Sequence, residues 1–206
     1  MSRPEKAAEL VAEIEAFGGQ AVAIEADSAD PKAIKAAVLK AVERFGPIDA
    51  VVVNAGIMRV GTIGTFSLED LDQMLAVNVR GVYLAIQAAA SRMRDGGRII
   101  TIGSNTAIRS TYPATCVYAT TKAAVATMMK GIALDLAPRR ITVNNIQPGP
   151  TETDMTAAMI PRLAEMTPLR RIGQPAEIAA MVSYLVSEEA GYMTGSSLTI
   201  DGGFAL

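Results

Sequence analysis

The 206 residues are 50% apolar, 19% charged and 4% aromatic, which suits one soluble globular domain with a sizeable core and excludes a disordered or fibrous chain. Nineteen Lys and Arg against 21 Asp and Glu give a net charge of −2, so no basic surface is offered to nucleic acid or to an anionic membrane. With no histidine and a single cysteine, Cys116, the chain excludes a Ser-His-Asp triad, His- or Cys-cluster metal sites and an internal disulfide, and its cysteine usage suits the cytoplasm.

Acid–base chemistry therefore falls to Tyr, Lys, Asp or Glu. No apolar run reaches the length of a bilayer, and the N-terminus lacks the apolar core of a secretory leader.

In chain order, Ala7, Leu10, Val11, Ile14 and Phe17 recur at helical spacing between Pro4 and Gly18-Gly19 and predict a first helix. Residues 20–25 alternate as a short strand. Asp30-Pro31 then caps a helix carrying Ile34, Val38, Ala41, Val42 and Phe45 up to Gly46. The run Ala50-Val51-Val52-Val53 reads as a strand buried on both faces and ends in the turn Asn54-Ala55-Gly56. Ser67 and Asp70 start a long helix through Leu71, Leu75, Val79, Val82, Ile86 and Met93 that stops at Gly96-Gly97, and residues 98–103 form the next buried strand. A helix over residues 115–137, a strand over 141–147, a Pro- and Met-rich segment over 148–168, a helix after Pro175 and a strand over 197–200 complete the chain.

Strands alternating with helices predict an α/β fold with a doubly wound parallel sheet of the Rossmann type, in one domain over 1–206. In such sheets the ligand crevice lies beyond the carboxyl ends of the strands. Attention therefore goes to Asp27-Ser28, Asn54-Ala55-Gly56, Ser104-Asn105 and Pro148-Gly149-Pro150.

Tyr118 and Lys122 are four residues apart on one helix face. A phenol of ordinary pKa near 10 is a poor proton donor or acceptor at neutral pH unless a cation stabilises its anion, and Lys122 is placed to be that cation. Ser104, at a strand end, offers a hydroxyl to hold a substrate oxygen, and Asn78 is a weak helix former set within a helix.

The ordered set Asn54-Ala55-Gly56, Val77-Asn78-Val79, Ser104, Tyr118-Ala119-Thr120-Thr121-Lys122, Ile141-Thr142-Val143-Asn144, Pro148-Gly149, Thr153-Asp154-Met155 and Asp201-Gly202-Gly203 resembles the short-chain dehydrogenase/reductase family. The resemblance runs from the first helix to the C-terminus. It implies hydride transfer between a nicotinamide cofactor and an alcohol or ketone, with Tyr118 as general acid/base. Lys122 would lower the Tyr118 pKa and bind the ribose, Ser104 would orient the substrate oxygen, and Asn78 would hold a water linking Lys122 to solvent. It also implies cofactor contacts at Asp27, Asn54, Ala55, Gly56, Pro148, Gly149, Thr151 and Thr153. For Asp27 and Asn54 a turn-forming or strand-capping role stands beside the cofactor role, and Asn144 and Asp201 read as structural.

Three features depart from the family pattern. No Gly-rich phosphate loop opens the first helix, so a first strand, loop, helix and second strand, roughly 30 residues or more, are expected to be missing at the N-terminus. In the strand order 3-2-1-4-5-6 this would leave unpaired edges beside residues 20–25 and 50–53; if the chain starts here, weak or absent cofactor binding and aggregation or recruitment of strands from a partner are the expected consequence. Val53 stands where the family usually has Asn, and Thr121 where it usually has Ser.

The chain is also similar to the biofilm-dispersal branch of the family, whose members are associated with cyclic-di-GMP binding. That resemblance adds the alternative of a nucleotide-binding regulator, and an inactive fragment is a third reading. Ser2 and Arg3 favour NADP over NAD if they meet a 2′-phosphate, with a helix cap and a solvated arginine as the other reading. A Met-rich pocket from residues 58–65, 108–116 and 155–166 suits a small or medium hydrophobic ketone or a 3-oxoacyl group. A homodimer or homotetramer through the helices at 67–94 and 115–137 is expected by resemblance.

Overall fold

Helix α1 (Pro4–Ala16) starts on its proline, and none of its residues is buried; Leu10 and the following Phe17 are exposed to solvent. The computed structural model describes residues 4–110, 112–154 and 156–206. Ser2 and Arg3, Thr111 of the expected pocket, and Met155 of the Thr153-Asp154-Met155 motif lie outside the described residues.

Asp30 caps α2 (Pro31–Phe45) by accepting from the Lys32 N–H, and Gly46 ends it at a φ of 83°. Ser67 caps α3 (Leu68–Leu75), with its hydroxyl accepting from the Asp70 N–H and donating to the Asp70 carboxylate. A π-helical turn, Ala76–Gly81, then leads without a break into α4 (Val82–Ala90).

Four parallel strands, β1 (Ile48–Val53), β2 (Met93–Ile102), β3 (Thr142–Pro148) and β4 (Ser197–Ile200), lie side by side in chain order. Between them run α5 (Cys116–Leu136), the short α6 (Ile160–Met166) and α7 (Pro175–Val186). Successive strand residues point to opposite faces. Ile99 and Val143 pack with Val82, Ile86, Val125 and Met129 of α4 and α5, whereas Ile100 and Ile146 pack with Leu185 of α7 and with Ala190. The sheet is thus covered on both faces, as expected of a doubly wound fold.

Three expectations are corrected. Residues 20–25 form no strand, because a strand exists only by pairing and no described segment lies beside them as a ladder partner. The run around Val51 is not buried on both faces: only Val53 is buried in β1, and Val52 remains 46% exposed. Among the described residues β1 pairs with β2 alone, and α7 packs mainly on β2 and β3. The long helix expected to reach Met93 stops at Ala90, because Met93 pairs with Ile48 across an irregular register that resumes at Ala50 and Arg98.

Side chains tie the strand ends together. Asn144 donates to the Met193 carbonyl and accepts from the Ser196 N–H, which fixes β3 to the segment entering β4. Arg171 grips both Glu177 carboxylate oxygens at 2.7 Å, and with the Gln174 N–H holds that carboxyl down to about 2.

Candidate active site

The site lies at the carboxyl ends of β1 and β2, where α5 and the π-turn meet. In α5, Tyr118 and Lys122 share a face as their spacing predicts, and the Lys122 Nζ stands 5.6 Å from the centroid of the Tyr118 ring. Lys122 is buried and donates to the carbonyl of Ile102, the last residue of β2, at 3.0 Å. Burial lowers its pKa from 10.5 to about 8, since an ammonium loses its hydration more dearly than the neutral amine.

Ser104, two residues beyond β2, is buried in extended backbone. Its hydroxyl accepts from the Thr106 N–H at 3.2 Å and from the Thr106 hydroxyl at 2.9 Å. Its side chain also acts on the Tyr118 hydroxyl, drawing the phenol pKa down. The Tyr118 pKa is raised nonetheless, because burial outweighs that influence. Tyr118 therefore stands protonated at neutral pH, ready to donate.

Asn78 sits in the π-turn and is 2% exposed. Its Oδ1 accepts from the Ile57 N–H and its Nδ2 donates to the Ile57 carbonyl, both at 2.8 Å, with a further bond of 3.2 Å to the Thr121 hydroxyl. Thr121 in turn donates to the Tyr118 carbonyl. One asparagine thus links the turn after β1 to the helix carrying Tyr118 and Lys122. π-Turns are often found at functional sites. This one brings Asn78 inward while Gly81 packs on the Ser28 backbone and Arg80 donates to the Ala29 carbonyl.

The expected cofactor residues are distributed along the same edge. Asn54, Ala55 and Gly56 are exposed in the turn after β1. A Cβ on Gly56 would stand 3.4 Å from the Lys122 Nζ and 3.5 Å from the Asn78 Oδ1, so the bare glycine leaves a shallow cradle over both. Pro148 ends β3, and Gly149 donates to the Ile200 carbonyl so close to Asp201 that a Cβ there would collide with it at 2.4 Å. Thr151 donates to the Gly149 carbonyl, and Thr153 approaches the Thr156 hydroxyl. Asp27 is exposed and its carboxylate accepts from the Ala29 N–H, a turn-forming contact.

The structure brings Asn78, Ser104, Tyr118 and Lys122 together with Gly56, whereas Asp27 is linked to them only through its turn and the π-turn. Sequence reasoning missed the Ile57 backbone and the Ile102 carbonyl, which no residue type signals. Thr121 carried a signal, a hydroxyl kept one residue before the lysine, but its bridging role depends on the packing of two helices. Among the described residues no group of three or more His, Cys, Asp or Glu could hold a metal ion, and no helix is long and apolar enough to cross a membrane.

The family model described as enoyl-(acyl carrier protein) reductase matches residues 1–205. A short-chain dehydrogenase/reductase from Serratia marcescens is 46% identical and superimposes with a TM-score of 0.97, covering 100% of this chain and 85% of its own. A short-chain dehydrogenase from Burkholderia cenocepacia, solved in complex with NADP, is 42% identical with a TM-score of 0.93, covering 98% of this chain and 84% of its own. The cyclic-di-GMP-binding biofilm dispersal mediator protein of Escherichia coli is 40% identical over 187 residues, which are 89% of this chain and 77% of that protein.

Proposed function

The chain belongs to the short-chain dehydrogenase/reductase family, and on that premise we propose that this oxidoreductase interconverts a ketone and a secondary alcohol on a small molecule, using NADPH in preference to NADH. The observation that carries the reading is the convergence of Tyr118, Ser104, Lys122 and Asn78 on one strand-end crevice. The Gly56 cradle fits the nicotinamide end of such a cofactor, because it leaves room directly above the Lys122 ammonium. NADP or NADPH in the solved relatives from Burkholderia cenocepacia and from a metagenomic library supports the choice of cofactor.

Lys122 and Tyr118 would hold the ribose, with Asn54, Ala55 and Gly56 along one side and Pro148, Gly149, Thr151 and Thr153 at the carboxamide. Asp27 would meet the adenine with the carboxylate oxygen that its turn leaves free. When bound, the cofactor supplies the hydride. Ser104 holds the substrate carbonyl oxygen beside the Tyr118 hydroxyl, which donates its proton as that oxygen gains charge. Lys122, held at about 8, carries an ammonium at neutral pH and is poised to restore the lost proton. Asn78, fixed between Ile57 and Thr121, keeps the crevice wall and the Lys122 helix in register and faces the Gly56 cradle, where a water would link Lys122 to solvent.

Calorimetric titration of the chain with NADPH and NADH, joined to NADPH oxidation against a panel of hydrophobic ketones and 3-oxoacyl thioesters, tests this reading. Saturable NADPH binding supports it, and turnover is expected to fall at least about a hundredfold in Tyr118→Phe while binding is kept. Equal turnover in the variant would remove Tyr118 from the mechanism.

The 40% identity to the cyclic-di-GMP-binding protein of Escherichia coli supports a second reading, in which a cyclic dinucleotide occupies the same crevice. Displacement of NADPH by cyclic-di-GMP in the same titration would favour it. Association into dimers or tetramers through α3, α4 and α5 is supported by exposed Leu68, Leu75, Tyr83 and Leu134, and sedimentation tests it.

A further inference from the structure

Ser104 lies between two anchored residues. On one side the Gly103 N–H donates to the Ile146 carbonyl of β3, while the Ser104 hydroxyl is engaged locally by Thr106. The next residue supplies the anchor on the other side. Asn105 is 5% exposed, and its Nδ2 donates to the Asp201 carboxylate at 3.1 Å.

Asp201 follows β4 and is itself held from several sides. Its two carboxylate oxygens accept from the Gly203 and Ala205 N–H groups at 2.9 Å, which curls the chain after it, and Gly149 presses its backbone against the Asp201 Cα and Cβ.

The curled segment touches the loop after Ser104 at two further points. Phe204 is buried against Tyr112, with ring centroids 6.2 Å apart, and the Arg109 guanidinium donates to the Leu206 carbonyl. Tyr112 also receives α6, through Arg162 over its ring and its hydroxyl on the Met166 sulfur. The Tyr112 carbonyl accepts from the Thr115 hydroxyl at the start of α5, three residues before Tyr118. The Asn105–Asp201, Phe204–Tyr112 and Arg109–Leu206 contacts thus join residues 201–206 to the stretch between Ser104 and Tyr118.

We propose that residues 201–206 form a strap that positions Ser104 against Tyr118, acting through the Asn105–Asp201 hydrogen bond and the Phe204–Tyr112 contact. Asn105 and Asp201 are positioning residues: they touch neither substrate nor cofactor and act by holding the serine within reach of the phenol. The assignment rests on the proposed catalytic roles of Ser104 and Tyr118, but the geometry it concerns can be read without turnover.

The experiment uses the full chain with 13Cζ-labelled tyrosine, the Tyr118 resonance being assigned by its loss in Tyr118→Phe. The Ser104 side chain favours the ionised phenol, so releasing the serine raises the midpoint at which that resonance titrates. Asn105→Ala is expected to raise it. Asp201→Asn, which keeps one acceptor oxygen where the carboxylate offers two, is expected to raise it less than Asn105→Ala does, and Arg94→Ala at the remote pair with Asp49 is expected to leave it at the wild-type value. Where Asn105→Ala does not fold, Phe204→Leu tests the strap at its other contact, with the same upward shift expected.

In the reductase assay Asn105→Ala should lower kcat at least about tenfold with NADPH affinity unchanged. A folded Asn105→Ala or Phe204→Leu chain whose Tyr118 midpoint does not move overturns the strap. Absence of ketone reduction in the wild type, with the midpoint shifted as expected in the variants, overturns the reductase reading instead and leaves the strap standing.

Discussion

Gly56 faces the Lys122 ammonium across a gap that one methyl group would close, for a Cβ at position 56 would stand 3.4 Å from Nζ. The same Cβ would lie 3.5 Å from the Asn78 Oδ1, so the glycine keeps open the space shared by the lysine and the asparagine. Gly56 is exposed and its backbone is not in the left-handed region, so a side chain is admissible for folding. Gly56→Val is expected to change unfolding free energy by less than about 0.5 kcal/mol while weakening NADPH binding at least about tenfold. Urea unfolding and calorimetry on the same sample check both halves.

Lys122 makes stability depend on pH with a definite sign. Its pKa is about 8 in the folded chain and 10.5 when free, so between those values the unfolded chain keeps a proton that the folded chain has released. Stability therefore rises with pH across that window, and below it the burial penalty, on the order of 3 kcal/mol, is fully present. Lys122→Met removes the titration, so any advantage it has over wild type at pH of about 7 should shrink by pH of about 9.5. A difference in urea midpoints that stays constant with pH would show that the ammonium is not desolvated.

Asn78 satisfies both backbone groups of Ile57 from a fully enclosed position. Asn78→Leu keeps the volume but leaves that N–H and carbonyl without their partner, at an expected cost of about 2–4 kcal/mol. Asn78→Asp keeps an acceptor for the Ile57 N–H and should cost less. Denaturant unfolding of the two variants gives the order directly.

Gly81 lies so near Ser28 that a Cβ would approach its carbonyl oxygen to 2.3 Å. The partner is backbone, which cannot swing away as a flexible side chain would. Gly81→Ala is expected to destabilise the chain by roughly 2–3 kcal/mol and, by displacing the π-turn, to weaken the Asn78 contact with Ile57. Faster hydrogen exchange at the Ile57 amide would report the second effect.

Much of this site was legible because its chemistry depends on local spacing. Tyr118 and Lys122 share a face by being four apart, and Asp30 and Ser67 mark helix starts through side chains that bond to nearby backbone. The strand expected over residues 20–25 shows the other side: alternation describes one face of a strand, but the ladder that makes it a strand belongs to a neighbour. Val52 was misjudged for the same reason, since an apolar run says that burial is favourable and not which element supplies it.

Composition and order by themselves determined that the chain has no imidazole, that its acid–base chemistry falls to Tyr, Lys, Asp or Glu, and that strands and helices alternate into a parallel sheet. These follow from residue identity and from periods of two and of 3.6, which are local properties of the backbone. Only the tertiary structure decided that Asn78 clamps Ile57, that Lys122 rests on the Ile102 carbonyl, and that Asp201 anchors the residue beside Ser104. Those bonds join segments 20 to 96 residues apart, the first two through backbone groups that every residue carries and the third through two side chains, so it is packing that selects which of them meet.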